Sequence, residues 1–152
     1  MKIASRTVEA EIEIEAPLEL VWDVLVDFPR YPEWNPFTIG VETDLTPGNA
    51  VGLTVALFGK PRKFTERFAV YEPPKRIGWG MHLLGGRILR GVRYQELEVR
   101  APGRTLYRTH ERFDGPLAWL VILLTGAEVR RGFESNAKAL KERAESLARE
   151  RT

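Results

Sequence analysis

The chain has 152 residues, 43% of them hydrophobic and 29% charged, with a formal charge of +2 at pH 7. That balance excludes a disordered chain, and basic residues scattered among acids exclude a surface built to follow nucleic-acid phosphates. The absence of cysteine removes disulfides, thiolate metal sites and a cysteine nucleophile, and fits the reducing cytoplasm, the expected compartment.

The length suits one domain over 1–152 with a sizeable core. Charged and apolar residues alternate through the first fifteen positions, so no secretory leader is expected. The sequence V-E-A-E-I-E-I-E over 8–15 predicts a strand with one wet face. Ala16-Pro17 stops it, and Leu18, Val21, Trp22 and Leu25 recur at helical spacing in a short amphipathic helix ending near Asp27. Pro29, Pro32 and Pro36 confine the next segment, with Tyr31, Trp34 and Phe37, to a turn or very short helix. Six strands are predicted next, over 39–45, 51–57, 64–71, 76–82, 88–100 and 104–114. They are separated by Pro47-Gly48-Asn49, Gly59-Lys60-Pro61, Pro73-Pro74, Gly85-Gly86 and Ala101-Pro102-Gly103, a spacing that implies an antiparallel meander. From Pro116 the period lengthens. Val129, Phe133, Ala137, Leu140, Ala144 and Leu147 form one stripe of a helix of about five to eight turns. Gly126 predicts a break or hinge within it.

Several segments carry a resemblance: Ala16-Pro17 before Val21-Trp22, Y-P-E-W-N-P-F over 31–37, Gly59-Lys60-Pro61, Y-E-P-P-K-R-I-G-W over 71–79, and H-E-R-F-D-G-P-L over 110–117. Together they resemble the START/Bet v 1-like (SRPBCC) superfamily, most closely its polyketide cyclase/dehydrase-like branch, from about residue 7 to 147. The resemblance implies an α+β helix-grip fold. A curved seven-stranded antiparallel sheet would wrap a long C-terminal helix, with short helices after the first strand and a cavity between sheet and helix. It also implies a hydrophobic or amphipathic ligand, such as a lipid, sterol, polyketide or plant hormone. Some members cyclise or dehydrate and others carry, so the fold does not decide between enzyme and binder.

Strand parity identifies the inward face. Basic residues assign Leu106, Arg108, His110 and Arg112 to solvent, which turns Tyr107, Thr109, Glu111 and Phe113 inward. Glu96 and Glu98 outside place Arg93, Gln95, Leu97 and Val99 inside. Lys63, Thr65 and Arg67 outside place Phe64, Glu66, Phe68 and Val70 inside. Leu53 and Val55 join the apolar wall, and Phe133 faces it from the helix. A turn centred on Pro102 sets Leu97 opposite Tyr107, Gln95 opposite Thr109 and Arg93 opposite Glu111, close enough for an ion pair. Such a pair is either self-neutralising on a wet wall, or Arg93 anchors a carbonyl, carboxylate or phenolate while Glu111 or Glu66 orients it or exchanges protons. Arg93 is expected to hold the Glu111 pKa down.

Trp34 and Phe37 either cap the cavity mouth or anchor packing. Trp79 is a wall or core residue, and Trp22 is core. His82 and His110, the only histidines, lie far apart with His110 outward, so no metal site or Ser-His-Asp arrangement is expected. Gly78 and Gly80 read as turn or bulge positions. The run from Leu117 to Leu124 is apolar all round. It is too short for the roughly 20 residues of a membrane span, and reads as buried first turns of the long helix, a gate, or a surface that docks on a membrane or a second subunit. Three functions fit: a binder of a lipid-, polyketide- or aromatic-like molecule, a cofactor-free cyclase/dehydratase, and a protein-interaction module.

Overall fold

In the computed structural model, residues 6–152 are described. The acidic alternation becomes β1 (Thr7–Ile14), which turns Val8 and Ile14 into the core and Glu9, Glu11 and Glu13 to water. Pro17 ends the extended segment, and its carbonyl accepts the Val21 N–H as α1 (Leu18–Val26) begins. Six of the nine residues of α1 are buried, Trp22 included. Prolines then restrict the chain to a 3-10 turn (Phe28–Arg30) and one turn of helix, α2 (Tyr31–Trp34).

The meander follows as β2 (Thr38–Glu42), β3 (Ala50–Leu57), β4 (Lys60–Glu72), β5 (Arg76–Leu83), β6 (Leu89–Ala101) and β7 (Arg104–Asp114). With β1 beside β7, the seven antiparallel strands lie in the order β1-β7-β6-β5-β4-β3-β2. The last element, α3 (Ala118–Glu150), spans 33 residues, about nine turns. It is longer than its stripe suggests and passes through Gly126 without a break, because the helical ladder on both sides outweighs one glycine's loss of about 1 kcal/mol. Ala137, Leu140 and Ala144 seat its C-terminal half on the concave face. The Glu145 carboxylate accepts the Glu15 N–H at 2.8 Å, and the Lys141 ammonium donates to the Glu13 carbonyl at 3.0 Å, so this half is tied to the end of β1.

The β6–β7 register sets Leu97 opposite Tyr107, Gln95 opposite Thr109 and Arg93 opposite Glu111. Other expectations need correction. β4 begins at Lys60, four residues early, because Phe58 (φ 52°) and Gly59 (φ 76°) close a two-residue hairpin and let Lys60 pair with Leu57. An irregularity between Phe68 and Val70 skips one residue of β4, so Tyr71 turns inward and Val70 lies outside against Gly78 and Tyr94. Gly78 and Gly80 are interior to β5, and no turn forms there. Leu106 is buried although it is on the outer face, flanked by the aliphatic stems of Glu13 and Glu98 on the adjoining strands. Val99, expected inside, is exposed beside the register irregularity that leads into the β6–β7 turn. The run from Leu117 to Leu124 is not enclosed. A sheet covers one side of α3 only, so Trp119, Leu123 and Leu124 remain in water. Among the described residues no helix is long and apolar enough to cross a membrane.

Candidate functional site

Sheet and helix meet under the C-terminal half of α3 and separate under its first half. The gap is a hollow of about 250 Å³. Its wall takes Leu53 and Val55 from β3, Phe64 and Glu66 from β4, and Trp79 from β5. Arg93 of β6, Glu111 and Phe113 of β7, Phe37 ahead of β2, and Phe133 of α3 complete the part anticipated from the sequence. Parity explains the strand members: each lies on the concave side of a strand whose other face carries charges or small polar groups.

The remaining anticipated residues lie elsewhere. Phe68, Gln95, Tyr107 and Thr109 point inward but are buried in the packing beneath the hollow. Trp34 stands away from it, its ring 5.0 Å from Tyr31, in a surface depression shared with Leu20, Asp23 and Arg143. Both of its flanking prolines hold it on the outer side of α2, so it does not cap the mouth. Phe37 lines the hollow. Its ring lies on Gly132 of α3, where a Cβ would come within 2.2 Å of it, and packs edge-on against Phe133 at 5.8 Å. Only glycine at 132 lets the aromatic ring close that side of the hollow.

Arg93 is the centre of the wall. It is 5% exposed, and a buried guanidinium requires partners. Its Nε donates to Thr109 Oγ1 at 2.9 Å and its Nη1 to Thr38 Oγ1 at 3.2 Å. Its plane rests over the Phe133 ring at 4.4 Å, a cation–π contact. Nη2 has no acceptor among the described residues. The expected ion pair with Glu111 does not form, because the two threonines and the Phe133 face hold the guanidinium toward α3 rather than along the β6–β7 ladder.

Glu111 therefore behaves contrary to the expected depression. Its carboxyl fits over Gly91, whose missing Cβ would sit 3.0 Å from Glu111 Oε2. Burial pushes its pKa up to about 8, the nearby Glu66 charge adds to that rise, and Arg93 only opposes it. Burial likewise raises Glu66 to about 7, again against Arg93. No hydrogen bond contributes to either shift. The hollow thus holds an incompletely bonded guanidinium with two carboxyls whose pKa values burial raises toward neutral pH. Chemically it can bind an oxygen, donate a proton or accept one.

Beneath the hollow lies a polar chain that strand parity did not reveal. Asn35, between α2 and β2, donates to Asn136 of α3. Asn136 donates to the Tyr107 hydroxyl at 2.8 Å, and that hydroxyl donates to Gln95 Oε1 at 2.6 Å. Asn35 Oδ1 also accepts the N–H groups of Phe37 and Thr38, at 3.0 and 2.9 Å. The signal for Asn136 was present, since it falls on the apolar stripe between Phe133 and Leu140, where an unpartnered amide is costly. Also missed were Thr38, Leu57, Met81 and Leu89, and the α3 residues Val121, Thr125 and Val129. The last three are spaced four apart, one face of a helix. His110 lies on the outer face with its Nε2 2.6 Å from Glu96 Oε1. Among the described residues no three His, Cys, Asp or Glu gather as a metal site.

A curved sheet gripping one long helix over a lined hollow defines the helix-grip class of α+β proteins. The chain belongs to the polyketide cyclase/dehydrase and lipid transport family, whose sequence pattern matches residues 5–145. No curated protein matches it. Among solved structures it is similar to the Zhui aromatase/cyclase of a Streptomyces species, at 23% identity over 92% of this chain and 93% of that one, with a TM-score of 0.73. A START superfamily protein from Mycobacterium smegmatis gives 22%, 93%, 98% and 0.63. A protein from Thermobifida fusca gives 22%, 93%, 95% and 0.67. At these identities the likeness is one of fold.

Proposed function

We propose that this protein binds a small, largely apolar molecule, lipid-, polyketide- or aromatic-like, and takes its carbonyl, carboxylate or phenolate oxygen at Arg93. The observation that carries this is the free Nη2 of a buried guanidinium, among the described residues, on a mostly apolar wall. A hydrogen bond from a charged donor there is worth about 1.5–3 kcal/mol, and an unmet one is a penalty of similar size. Apolar walls with a few fixed polar groups are what small-molecule pockets require. The family description, which joins lipid transport with cyclase and dehydrase activity, is consistent with either fate for the ligand. The cytoplasm is the proposed compartment, since a chain without cysteine needs no oxidising surroundings.

The test is a fluorescence titration with hydroxynaphthoate and with naphthalene, which lacks the oxygens. Wild type should prefer hydroxynaphthoate, and Arg93→Leu should lose about tenfold of that preference while its urea midpoint shifts little. Equal affinities in the two proteins would remove Arg93 from the site.

A second reading, proton transfer in a cyclase or dehydratase, is favoured by the raised pKa values of Glu66 and Glu111, since acid–base groups work best near the ambient pH. The Zhui protein, an aromatase/cyclase, shares the fold. Native mass spectrometry separates the two readings: a molecule retained unchanged supports binding, and one released lighter by a water supports dehydration.

A further inference from the structure

The hollow accounts for Phe64 but for none of the apolar side chains exposed at one end of the sheet. In a meander every second connection falls at the same end. The β3–β4 hairpin, the β5–β6 turn and the β7–α3 junction therefore share one end. There Phe58, Leu83, Leu84, Trp119, Leu123 and Leu124 stand in water, with Leu84 71% and Leu123 70% exposed. The opposite end exposes Val99 alone among large apolar residues described. Phe58 and Leu84 are also held at φ 52° and 51°, the left-handed region that bulky side chains avoid. Leu45, the third such residue, is partly buried against the core. Phe58 and Leu84, by contrast, stay more than half exposed.

The charges at this end select the partner. Lys60 and Arg62 follow Phe58, and Arg87 and Arg90 follow Leu84; all four are exposed and none forms an ion pair among the described residues. The acids nearby are already engaged, Asp114 with Arg112 and Glu128 with Arg131. A second copy meeting this face about a two-fold axis would bring like charges together. An anionic bilayer meets both requirements: acyl chains for the leucines, an interfacial position for Trp119, and headgroup phosphates for the cations.

We propose that this rim docks on an anionic lipid bilayer. Leu57, Met81, Leu89 and Val121, which line the hollow, are within two residues of rim residues in the chain. A ligand can thus pass between acyl chains and hollow without crossing bulk water. That consequence rests on the binding reading above; the docking itself does not.

Sedimentation with phosphatidylcholine vesicles, with and without phosphatidylglycerol, tests it. Wild type should partition onto the anionic vesicles, and sodium chloride should weaken that partition. Leu84→Ser with Leu123→Ser should reduce it about tenfold, and Arg87→Glu, which leaves every apolar side chain of the rim in place, about fivefold. Both variants should still titrate hydroxynaphthoate in solution as wild type does, so failure of docking and failure of ligand binding are read separately. Wild type that ignores anionic vesicles, or variants that partition like wild type, would overturn the proposal. A lipid-free dimer dissolved by the leucine substitutions, with no vesicle binding, would overturn it in favour of a second copy.

Discussion

The two halves of the interior are built from the same sheet and the same helix, yet one is solid and the other hollow. Under the C-terminal half of α3, small side chains at Ala137 and Ala144 let the helix close on the sheet. There hydrogen bonds within the protein join Asn35, Asn136, Tyr107 and Gln95 into one chain. Under the first half, Val121, Thr125 and Val129 face strands they do not reach. There Arg93 keeps a free Nη2, and Glu66 and Glu111 are raised by burial. Completed polar groups mark the half that holds the fold together; incomplete ones mark the half open to another molecule.

The largest test of that contrast lies in the solid half. Asn136→Ala should destabilise by about 3 kcal/mol in urea unfolding, because it leaves the Asn35 side-chain N–H without its acceptor and the Tyr107 hydroxyl oxygen without its donor in an apolar setting. Next comes the partition between the halves. Gly132→Ala places a methyl on the Phe37 ring and should lose about 2 kcal/mol, with altered hydroxynaphthoate affinity.

In the hollow half, Glu111→Gln tests the raised carboxyl. Its folded pKa, about 8, lies above the ordinary glutamate value of 4.5. Protonation therefore favours the folded state: its contribution is complete below about pH 4.5 and is lost as pH rises toward 8. The wild-type Tm should fall relative to Glu111→Gln across that window. The two should match near pH 4 and differ by about 5 °C at pH 8 in a thermal melt. The smallest effect on stability is expected from Val121→Phe, which fills empty space. Its urea midpoint should stay within about 0.5 kcal/mol of wild type, while hydroxynaphthoate binding is abolished. Unchanged binding would mean that the probe does not enter the hollow.

Much of this was legible in the residues. Alternation assigned Leu53, Val55, Phe64 and Glu66 to the concave side, and the Pro102 turn set Arg93 opposite Glu111. The assignments that failed share a cause. Val70 went to the outer face because a single skipped residue reverses parity, and nothing in the neighbouring sequence announces it. Trp34 and Phe37, three positions apart between prolines, went to different sides of the molecule because Phe37 alone has Gly132 to lie on. The stripe position of Asn136 marks it as buried, but its partners, Asn35 and Tyr107, come from segments far off in the chain.

By itself the sequence determined the strands, the faces they present and the pairing across a tight turn. Those depend on repeats of two or four residues and on turn geometry, all of which are local. Tertiary structure decided how far α3 stands from each strand, and so where the hollow lies. It also turned Arg93 toward two threonines and an aromatic face instead of its cross-strand neighbour. Those outcomes depend on contacts between residues as distant as Asn35 and Asn136 or Phe37 and Gly132, and no local period encodes a distance between layers.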